Sequence, residues 1–305
     1  MNKTCIIITG PTAVGKTALA IEVAQHFSTK IISADSRQCY KELNIAVAKP
    51  SSEELKRIHH FFIDTLSVQE DFSAADFETY ALQAVNEIFT ENDIAVMVGG
   101  TGLYIKAFCE GLDEIPAVDE TIRKTIIKNY EEHGLTFLQA AIKKADPAFY
   151  EMGEIQNPHR MIRALEVQLS TGRSITTFQS KQKKQRDFNI IKIGLELPRE
   201  ILYQRINERV DKMIDAGLVA EAKDLIAYKK LNALQTVGYR ELFDYFDNKI
   251  NLEKAIELIK QNTRHYAKRQ MTWFKKDEGV TWCSPVIEEI LRIINVIGCS
   301  FLHML

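Results

Sequence analysis

The sequence lacks several features that mark particular classes of protein. Its five cysteines are scattered over 305 residues without a C-x-x-C pair, so neither a disulfide framework nor a zinc site is indicated. This usage fits a reducing compartment, and we expect a cytoplasmic protein. No apolar run approaches the length of a membrane span, and the first is too short for a signal peptide, so no membrane partner is expected. With a formal net charge of −2, nucleic-acid binding has to rest on local clusters of charge.

The most informative motif lies at residues 4–17, TCIIITGPTAVGKT. An apolar, β-rich run leads into Gly10-x4-Gly15-Lys16-Thr17, and a helical pattern follows to about residue 27. This spacing is typical of a phosphate-binding P-loop. Backbone N–H groups surround the phosphate, Lys16 adds a cation, and the Thr17 hydroxyl can ligate Mg²⁺. The predicted phosphate site consists of Gly10, Pro11, Thr12, Ala13, Val14, Gly15, Lys16 and Thr17. The motif does not identify the phosphate compound.

Two other predicted strands end in polar or glycine-rich turns. Residues 30–35 read as a short buried strand that ends in Asp35, and residues 94–98 as a third parallel core strand that runs into Gly99-Gly100-Thr101-Gly102. In open α/β sheets, ligands bind at the carboxyl ends of the strands. Asp35 and Thr101 are therefore candidate site residues. Two simpler interpretations remain open: Asp35 as a turn or N-cap residue, and the second motif as a tight turn that needs glycine.

The segment between these strands contains weaker signals. Residues 59–64, HHFFID, predict a short strand, and its adjacent histidines have no partner at metal-ligand spacing. We therefore favour structural or loop histidines over a metal site. Ser73, with Asp76 three residues later, predicts the N-cap of a helix that reaches residue 89.

From about residue 116 the pattern becomes helical, at 119–132, 135–144 and 157–171, with no convincing strand until 190–197. This predicts a helical, basic insertion over residues 116–188 between two parts of a core, residues 1–115 and 189–305. Seven basic residues lie between positions 156 and 186: Arg160, Arg163, Arg173, Lys181, Lys183, Lys184 and Arg186. Against them stand Glu166 and, just beyond, Asp187. A solvated helix face explains part of this excess, but the stretch also fits contact with a phosphate backbone.

The last third of the chain is predicted to be helical, at 199–216, 218–230 and 253–276. Residues 261–276 contain five basic residues and no acid, and the aromatic residues Tyr266, Trp273 and Phe274 are expected to be core. A turn at 236–240 opens another helix, where an exposed Tyr239–Arg240 pair could touch RNA. We expect the tail, 287–305, to be a packed helix with a loose end. The predicted fold class is α/β: a P-loop NTPase-like parallel sheet core with a helical insertion and a helical C-terminal part.

These segments together resemble the bacterial tRNA dimethylallyltransferases. The ordered matches are GPTAVGKT at 10–17, ADSRQ-Y at 34–40, AKP at 48–50, HHFFID at 59–64, FSAADF at 72–77, VGGTGLY at 98–104, HRMIRALEV at 159–167, VGYRE at 237–241 and TRHYAKRQMTWF at 263–274. Residues 45–48, IAVA, depart from the family's usual I-G-T-A. One such segment would be weak, but the ordered set is highly specific.

The resemblance implies transfer of a dimethylallyl group from dimethylallyl diphosphate to N6 of adenosine 37, in the anticodon loop of tRNAs that read codons starting with U. It implies that Asp35 is the base, that Lys16 and Arg123 are cations on the diphosphate, and that Mg²⁺ lies near Thr17. It also implies that Thr101 holds the reacting groups or a bridging phosphate oxygen. It also implies tRNA contacts by Asp35, Ser36, Arg37, Gln38, Thr101, Arg123, His159, Arg160, Met161, Ile162, Arg163, Thr236, Val237, Gly238, Tyr239, Arg240 and Glu241. We expect a monomer that binds the anticodon stem-loop.

Three rival functions remain open from the sequence. An adenylate isopentenyltransferase would share the donor site but use a free nucleotide as acceptor. A P-loop small-molecule kinase would bind ATP and would not need basic segments to hold RNA. A nucleotide-binding RNA adaptor would carry out no chemistry, and Asp35 and Thr101 beside the P-loop argue against it.

Overall fold

The structure is a computed structural model, and it describes residues 3–180 and 182–302. The chain divides into two compact units. One unit combines Met1–Glu110 with Gln185–Leu305, and the other is Gly111–Lys184. We call them the sheet unit and the helical unit.

A six-stranded sheet forms the centre of the sheet unit. Its strands are β1 (Thr4–Thr9), β2 (Ile31–Ser33), β3 (His60–Phe61), β4 (Ile94–Val98), β5 (Asn189–Leu195) and β6 (Val280–Cys283). Every pairing is parallel, in the order β3-β2-β4-β1-β5-β6. The central strands are continuous apolar runs because both faces are covered. In β1, Cys5 and Ile7 face one hydrophobic core, while Ile6 and Ile8 face a second core on the opposite side.

The helices alternate with the strands in the first half of the chain and dominate afterwards. In chain order they are α1 (Lys16–His26), α2 (Ser52–Arg57), α3 (Ala74–Glu91), α4 (Gly102–Glu110), α5 (Glu120–Ala145), α6 (Pro147–Met152), α7 (Pro158–Thr171), α8 (Arg199–Asp215), α9 (Leu218–Asp224), α10 (Tyr239–Phe246), α11 (Leu252–Phe274) and α12 (Ile287–Leu302). Among the helices that the structure describes, none is both long and apolar enough to span a bilayer.

The predicted α/β architecture with a parallel sheet is confirmed. So is the N-terminal cap of α3, where Ser73 and Asp76 form a reciprocal capping box. Two predictions were wrong in detail. The helix predicted over 218–230 ends at Asp224 and continues as a 3₁₀ turn, and β6 was not anticipated. β6 is a short edge strand in which only Val280 is buried, so its apolar signal is weak.

The helical unit has a hydrophobic core of its own, in which Leu138 and Ile142 of α5 pack with Met161 and Leu165 of α7. Gly134, with φ 72° and ψ −163°, interrupts α5, in keeping with the two helical segments predicted there. Of the basic residues counted in this stretch, Lys181 lies outside the described residues. Of the tail predicted at 287–305, residues 303–305 lie outside them as well.

Candidate active site

A cavity of about 670 Å³ lies in the sheet unit, at the carboxyl ends of β1, β2 and β4. The loops that follow these three strands form one side of it. Helices α8 and α11 and the segment 235–240 form the other side. Two acidic side chains, Asp35 and Glu54, line the cavity, against six basic ones: Lys16, Arg37, Arg205, Arg209, Arg240 and Arg269. The cavity is therefore suited to a multiply charged anion.

The P-loop curls around one end of this cavity. At Gly10, with φ +139°, a Cβ atom would lie 2.5 Å from the carbonyl oxygen of Leu195, so the turn can approach β5 only with glycine here. Gly15 is the N-cap of α1, in the left-handed conformation. Residues 12, 13 and 15–17 line the cavity, whereas Gly10, Pro11 and Val14 lie buried behind it. The turn thus presents its backbone and the start of α1 to the cavity.

Lys16 is held at the floor of the P-loop. Its Nζ atom donates hydrogen bonds to the carbonyl oxygens of Gly10, at 3.1 Å, and Pro11, at 2.8 Å. Burial, and then the positive charge of Arg209, lower the pKa of Lys16 to about 7, against the opposing effect of Asp35. The pKa of the Arg209 guanidinium is also lowered by burial. A bound anion would relieve both effects, because it would supply the missing counter-charge.

Asp35 begins a tight turn directly after β2. Its Oδ1 atom accepts hydrogen bonds from the backbone N–H groups of Arg37, at 2.9 Å, and Gln38, at 3.3 Å. Within residues 3–180 and 182–302, Oδ2 has no hydrogen-bond partner, and Asp35 lines the cavity. Oδ1 therefore stabilises the turn, as the simpler interpretation from the sequence predicted. The predicted role of Asp35 as a site residue stays a prediction.

The hydroxyl of Thr101 forms two hydrogen bonds with Ser36 in this turn. It accepts the backbone N–H of Ser36 at 3.0 Å and donates to the Ser36 hydroxyl at 3.3 Å. The glycine-rich turn after β4 thereby supports the Asp35 turn from the neighbouring strand. Gly99 and Gly100 line the cavity, and Thr101 stands beside it. Its predicted contact with substrate stays a prediction.

Sequence reasoning missed three side chains that complete the cavity. Arg205 and Arg209 come from α8, four residues apart beside the buried stripe of that helix. The i, i+4 spacing of these two arginines was the sequence feature that could have indicated them as site residues. Gln270 of α11 is buried, and it accepts the Thr12 N–H at 2.8 Å and donates to the Gly100 carbonyl at 3.0 Å. A single side chain therefore joins the P-loop to the turn after β4.

All three aromatic residues of α11 were predicted to belong to the core, but only one of them does. Phe274 is buried, but Tyr266 lines the cavity and Trp273 is 41 % exposed. Trp273 lies in a shallow groove of about 380 Å³ together with His265, Lys268, Arg269, Thr272 and Lys276. Arg269 borders both the groove and the cavity. We call this surface the α11 groove.

Comparison with known proteins identifies the family. The family model described as IPP transferase matches residues 38–277. The chain belongs to the IPP transferase family. It is 50 % identical over 282 residues to the tRNA dimethylallyltransferase of Christiangramia forsetii, covering 92 % of this chain and 93 % of that one. It is 46 % identical over 297 residues to tRNA dimethylallyltransferase 1 of Bacteroides thetaiotaomicron, covering 96 % of each.

Solved structures agree with this family assignment. The tRNA isopentenylpyrophosphate transferase from Bacillus halodurans superposes with a TM-score of 0.72 at 36 % identity, covering 99 % of this chain and 97 % of that one. A eukaryotic dimethylallyltransferase acting on tRNA gives a TM-score of 0.76 at 28 % identity, covering 93 % of this chain and 74 % of that one. The fold is therefore the P-loop NTPase-like fold of the IPP transferases. The rival functions considered from the sequence are not favoured.

Some residues predicted to contact tRNA in this IPP transferase have buried side chains. The prediction of an exposed Tyr239 was wrong: the side chain is fully buried and its hydroxyl donates to Glu221 at 2.6 Å. Glu241 is buried too, where it accepts the Gly238 N–H and an Asn262 side-chain N–H. Met161 and Ile162 pack in the core of the helical unit. The predicted tRNA contacts of these four residues stay predictions. Thr236, Val237, Gly238 and Arg240 line the cavity.

Arg123 belongs to the helical unit, where it has a carboxylate partner. Its Nη1 atom lies 2.6 Å from Oε2 of Glu166, and Nη1 of Arg163 lies 2.6 Å from Oε1 of the same side chain. Glu166 is completely buried, so the two arginines are anchored at its carboxylate while their outer parts stay in solvent. His159 and Arg160 are exposed at the start of α7. The catalytic role of Arg123 stays a prediction.

Proposed function

We propose that this protein transfers a dimethylallyl group from dimethylallyl diphosphate to N6 of adenosine 37 in the anticodon loop of tRNAs that read codons starting with U. The observation that carries the proposal is the cavity itself. It combines a P-loop, additional arginines and an open carboxylate oxygen at one edge of the sheet. The names of the relatives, which describe tRNA dimethylallyl transfer, support the same reaction.

The P-loop end of the cavity suits the donor. Ionisation of an allylic diphosphate breaks the bond between C1 and the bridging oxygen, and the electron pair moves onto that oxygen. Backbone N–H groups, Lys16, Arg205 and Arg209 would stabilise the charge that develops on the leaving diphosphate. In this proposal the P-loop holds a leaving group and transfers no phosphoryl group.

Asp35 would act on the acceptor. The lone pair of the exocyclic N6 is shared with the adenine ring, so N6 is a weak nucleophile. It would form a bond to C1 of the donor while the N6 proton moves to Oδ2 of Asp35. Oδ1 would keep the turn in place during the reaction, because its two backbone hydrogen bonds do not involve the substrate.

The residues present fit a magnesium ion bound together with the diphosphate. Thr17 follows Lys16 at the start of α1 and lines the cavity, where its hydroxyl oxygen could ligate the ion. In the described part of the chain no group of three or more His, Cys, Asp or Glu side chains could form a metal cage. Mg²⁺ commonly uses one or two protein oxygens, substrate phosphates and water, which this set allows. When bound, it would neutralise charge on the diphosphate.

The acceptor has to reach this cavity from a folded RNA. We propose that adenosine 37 leaves the stack of the anticodon loop and enters as a single flipped base. The α11 groove, with three cations and an exposed tryptophan, would take neighbouring phosphates and bases. The basic helical unit would bind the anticodon stem. We propose a monomer that acts in the cytoplasm.

A mass assay tests the reaction. The protein is mixed with Mg²⁺, dimethylallyl diphosphate and an anticodon stem-loop that carries adenosines at positions 36 to 38. We expect the RNA to gain the mass of one prenyl group only when the donor is present. Prenylation of AMP, ADP or ATP in place of the RNA would move the assignment to a free-nucleotide enzyme. ADP formation from ATP without prenyl transfer would indicate a kinase.

A further inference from the structure

Three consecutive backbone amides beside the cavity point to one carboxylate. Glu221 of α9 accepts the N–H groups of Asn44 at 3.1 Å, Ile45 at 2.8 and 3.1 Å, and Ala46 at 3.2 Å. Both carboxylate oxygens take part in these bonds. Oε1 also accepts the hydroxyl of Tyr239 at 2.6 Å. Consecutive N–H groups arranged in this way form a concave anion site, which a side chain of the same protein fills.

The partners of Glu221 are unusual for a surface helix. No cationic side chain in the described residues pairs with it, although α9 carries Lys223 two positions later. Its negative charge is balanced by three backbone N–H dipoles and the Tyr239 hydroxyl. Hydrogen bonds to an ionised acceptor are stronger than those between neutral groups. The contact therefore holds the first three residues of the segment 44–48, which we call the rim loop.

The rim loop is connected to the proposed acceptor side of the cavity. The side-chain amide of Gln38 donates to the carbonyl oxygens of Val47, at 3.2 Å, and Ala48, at 3.0 Å. Gln38 closes the turn that begins at Asp35. Ala46, Val47 and Ala48 themselves line the cavity.

The rim loop also touches the segment 236–241. A Cβ atom placed on Gly238 would lie 3.2 Å from the Cβ atom of Ala46, so the two backbones approach closely. Tyr239, one residue later, is the residue whose hydroxyl reaches Glu221. Burial first, and then the Glu221 carboxylate, raise the pKa of the Tyr239 phenol, so it remains a proton donor. One carboxylate thus holds together two segments of the cavity wall that are distant in sequence.

We propose that Glu221 is a positioning residue for the RNA acceptor. Through the rim loop and Gln38 it sets the shape of the cavity wall next to Asp35, without touching the donor. This inference rests on the proposed function, because it assigns the wall to RNA. The proposal predicts an effect on binding of the acceptor and none on binding of the donor. The P-loop, Lys16 and Arg209 contact neither the rim loop nor Glu221 through any hydrogen bond that the structure describes.

Glu221→Gln tests this role with little change in volume. An amide offers one acceptor oxygen where the rim loop and Tyr239 require two, and its NH₂ group would face backbone N–H groups. We expect the dissociation constant for the anticodon stem-loop, measured without donor by fluorescence anisotropy, to rise roughly tenfold. The dissociation constant for pyrophosphate with Mg²⁺ should stay within about twofold of wild type. Amide hydrogen exchange at residues 44–46 should become faster.

Asp224→Asn is the matched control, because it makes the same chemical change on an exposed side chain of the same helix. It should leave both dissociation constants and the exchange rates unchanged. Unaltered stem-loop affinity in Glu221→Gln would overturn the proposal, and so would an equal loss of pyrophosphate affinity, which indicates a merely structural role. A wild-type protein with no affinity for the stem-loop would instead overturn the proposed function and, with it, the assignment of this wall to RNA.

Discussion

At Asp35, a mutation can distinguish the roles of the two carboxylate oxygens. Asp35→Asn keeps an acceptor oxygen for the N–H groups of Arg37 and Gln38, so the turn should survive. It removes the ability to take a proton. We expect turnover to fall by roughly 10²- to 10⁴-fold, the range for loss of general-base catalysis. Single-turnover prenyl transfer to the stem-loop measures this.

Affinities for the stem-loop and for pyrophosphate serve as the control, and both should remain within about twofold of wild type because the turn is intact. Full turnover in Asp35→Asn would remove Asp35 from the proton transfer. A loss of affinity equal to the loss of turnover would instead give it a structural role.

Lys16 should make donor binding depend on pH. Its pKa is lowered to about 7 in the ligand-free protein, so at pH 8 most of the side chain is neutral. A bound diphosphate favours the charged form, and binding should take up roughly 0.5 to 1 proton at pH 8. Affinity for dimethylallyl diphosphate should therefore fall as pH rises above about 7. Calorimetry in buffers of different ionisation enthalpy measures the uptake directly.

The lowered pKa of Lys16 also makes the free energy of unfolding depend on pH in a defined direction. Between about pH 7 and the unfolded value of 10.5, the unfolded chain binds more protons at Lys16 than the folded one, so this residue makes the free energy of unfolding rise with pH.

Lys16→Arg is the control for the binding experiment, because arginine keeps its charge and should abolish the proton uptake on donor binding. Uptake that persists in this variant would assign the proton to another group.

At the scale of elements, Gln270 joins the P-loop after β1 to the turn after β4. Gly100 leaves room for this contact: a Cβ atom there would lie 2.1 Å from Nε2 of Gln270. Gln270→Ala removes two hydrogen bonds, each contributing about 1 kcal/mol, and frees the Thr12 N–H. We expect the pyrophosphate dissociation constant to rise on the order of tenfold.

Isothermal calorimetry with pyrophosphate and Mg²⁺ checks this expectation. Gln261→Ala, an exposed glutamine on the same helix, is the matched control and should bind like wild type. If Gln270→Ala binds pyrophosphate normally, the P-loop holds its shape without support from α11.

The helical unit depends on a buried carboxylate. Glu166 is completely buried and pairs with Arg123 and Arg163, whose side chains are 50 % and 38 % exposed. Glu166→Gln leaves both guanidinium groups without a counter-charge, but solvent partly screens them. We expect a loss of about 2 kcal/mol in the free energy of unfolding, seen in urea denaturation. Glu154→Gln, at an exposed ion pair with Arg160, should cost less than about 0.5 kcal/mol. Equal losses in the two variants would show that burial of Glu166 is unimportant.

The sequence predicted those elements whose signal is local. The strand, turn and helix around the P-loop form one continuous pattern, and β4 is a single apolar run. Asp35 could be placed beside the P-loop because parallel strands end at a common sheet edge. Contacts between segments that are distant in the sequence produce no local sequence pattern, so they were not predicted. Gln270 lies 258 residues from Thr12, and Glu221 lies 177 residues from Asn44. The burial of Tyr239 was misjudged because it depends on its contact with Glu221.

At the scale of the whole molecule, net charge and local charge point in opposite directions. The chain carries a formal charge of −2, yet six basic and two acidic side chains line the cavity, and the α11 groove adds Lys268 and Lys276. Long-range attraction between the whole protein and RNA is therefore weak, and binding depends on phosphates that are contacted directly. If about five phosphates are neutralised, log K should fall against log salt with a slope of roughly −3.5 to −4.5.

The α11 groove can be tested within the same titration. Replacing both Lys268 and Lys276 by Gln removes two of these contacts, and the slope should become shallower by about 1.4 to 1.8. The same replacement of Lys212 and Lys223, two exposed lysines outside the cavity and the groove, should leave the slope unchanged. A slope near zero in the wild-type protein would mean that phosphate contacts do not drive binding. A wild-type slope retained by the Lys268 and Lys276 double variant would mean that the RNA follows a path away from α11, and the α11 groove would then have no part in acceptor entry.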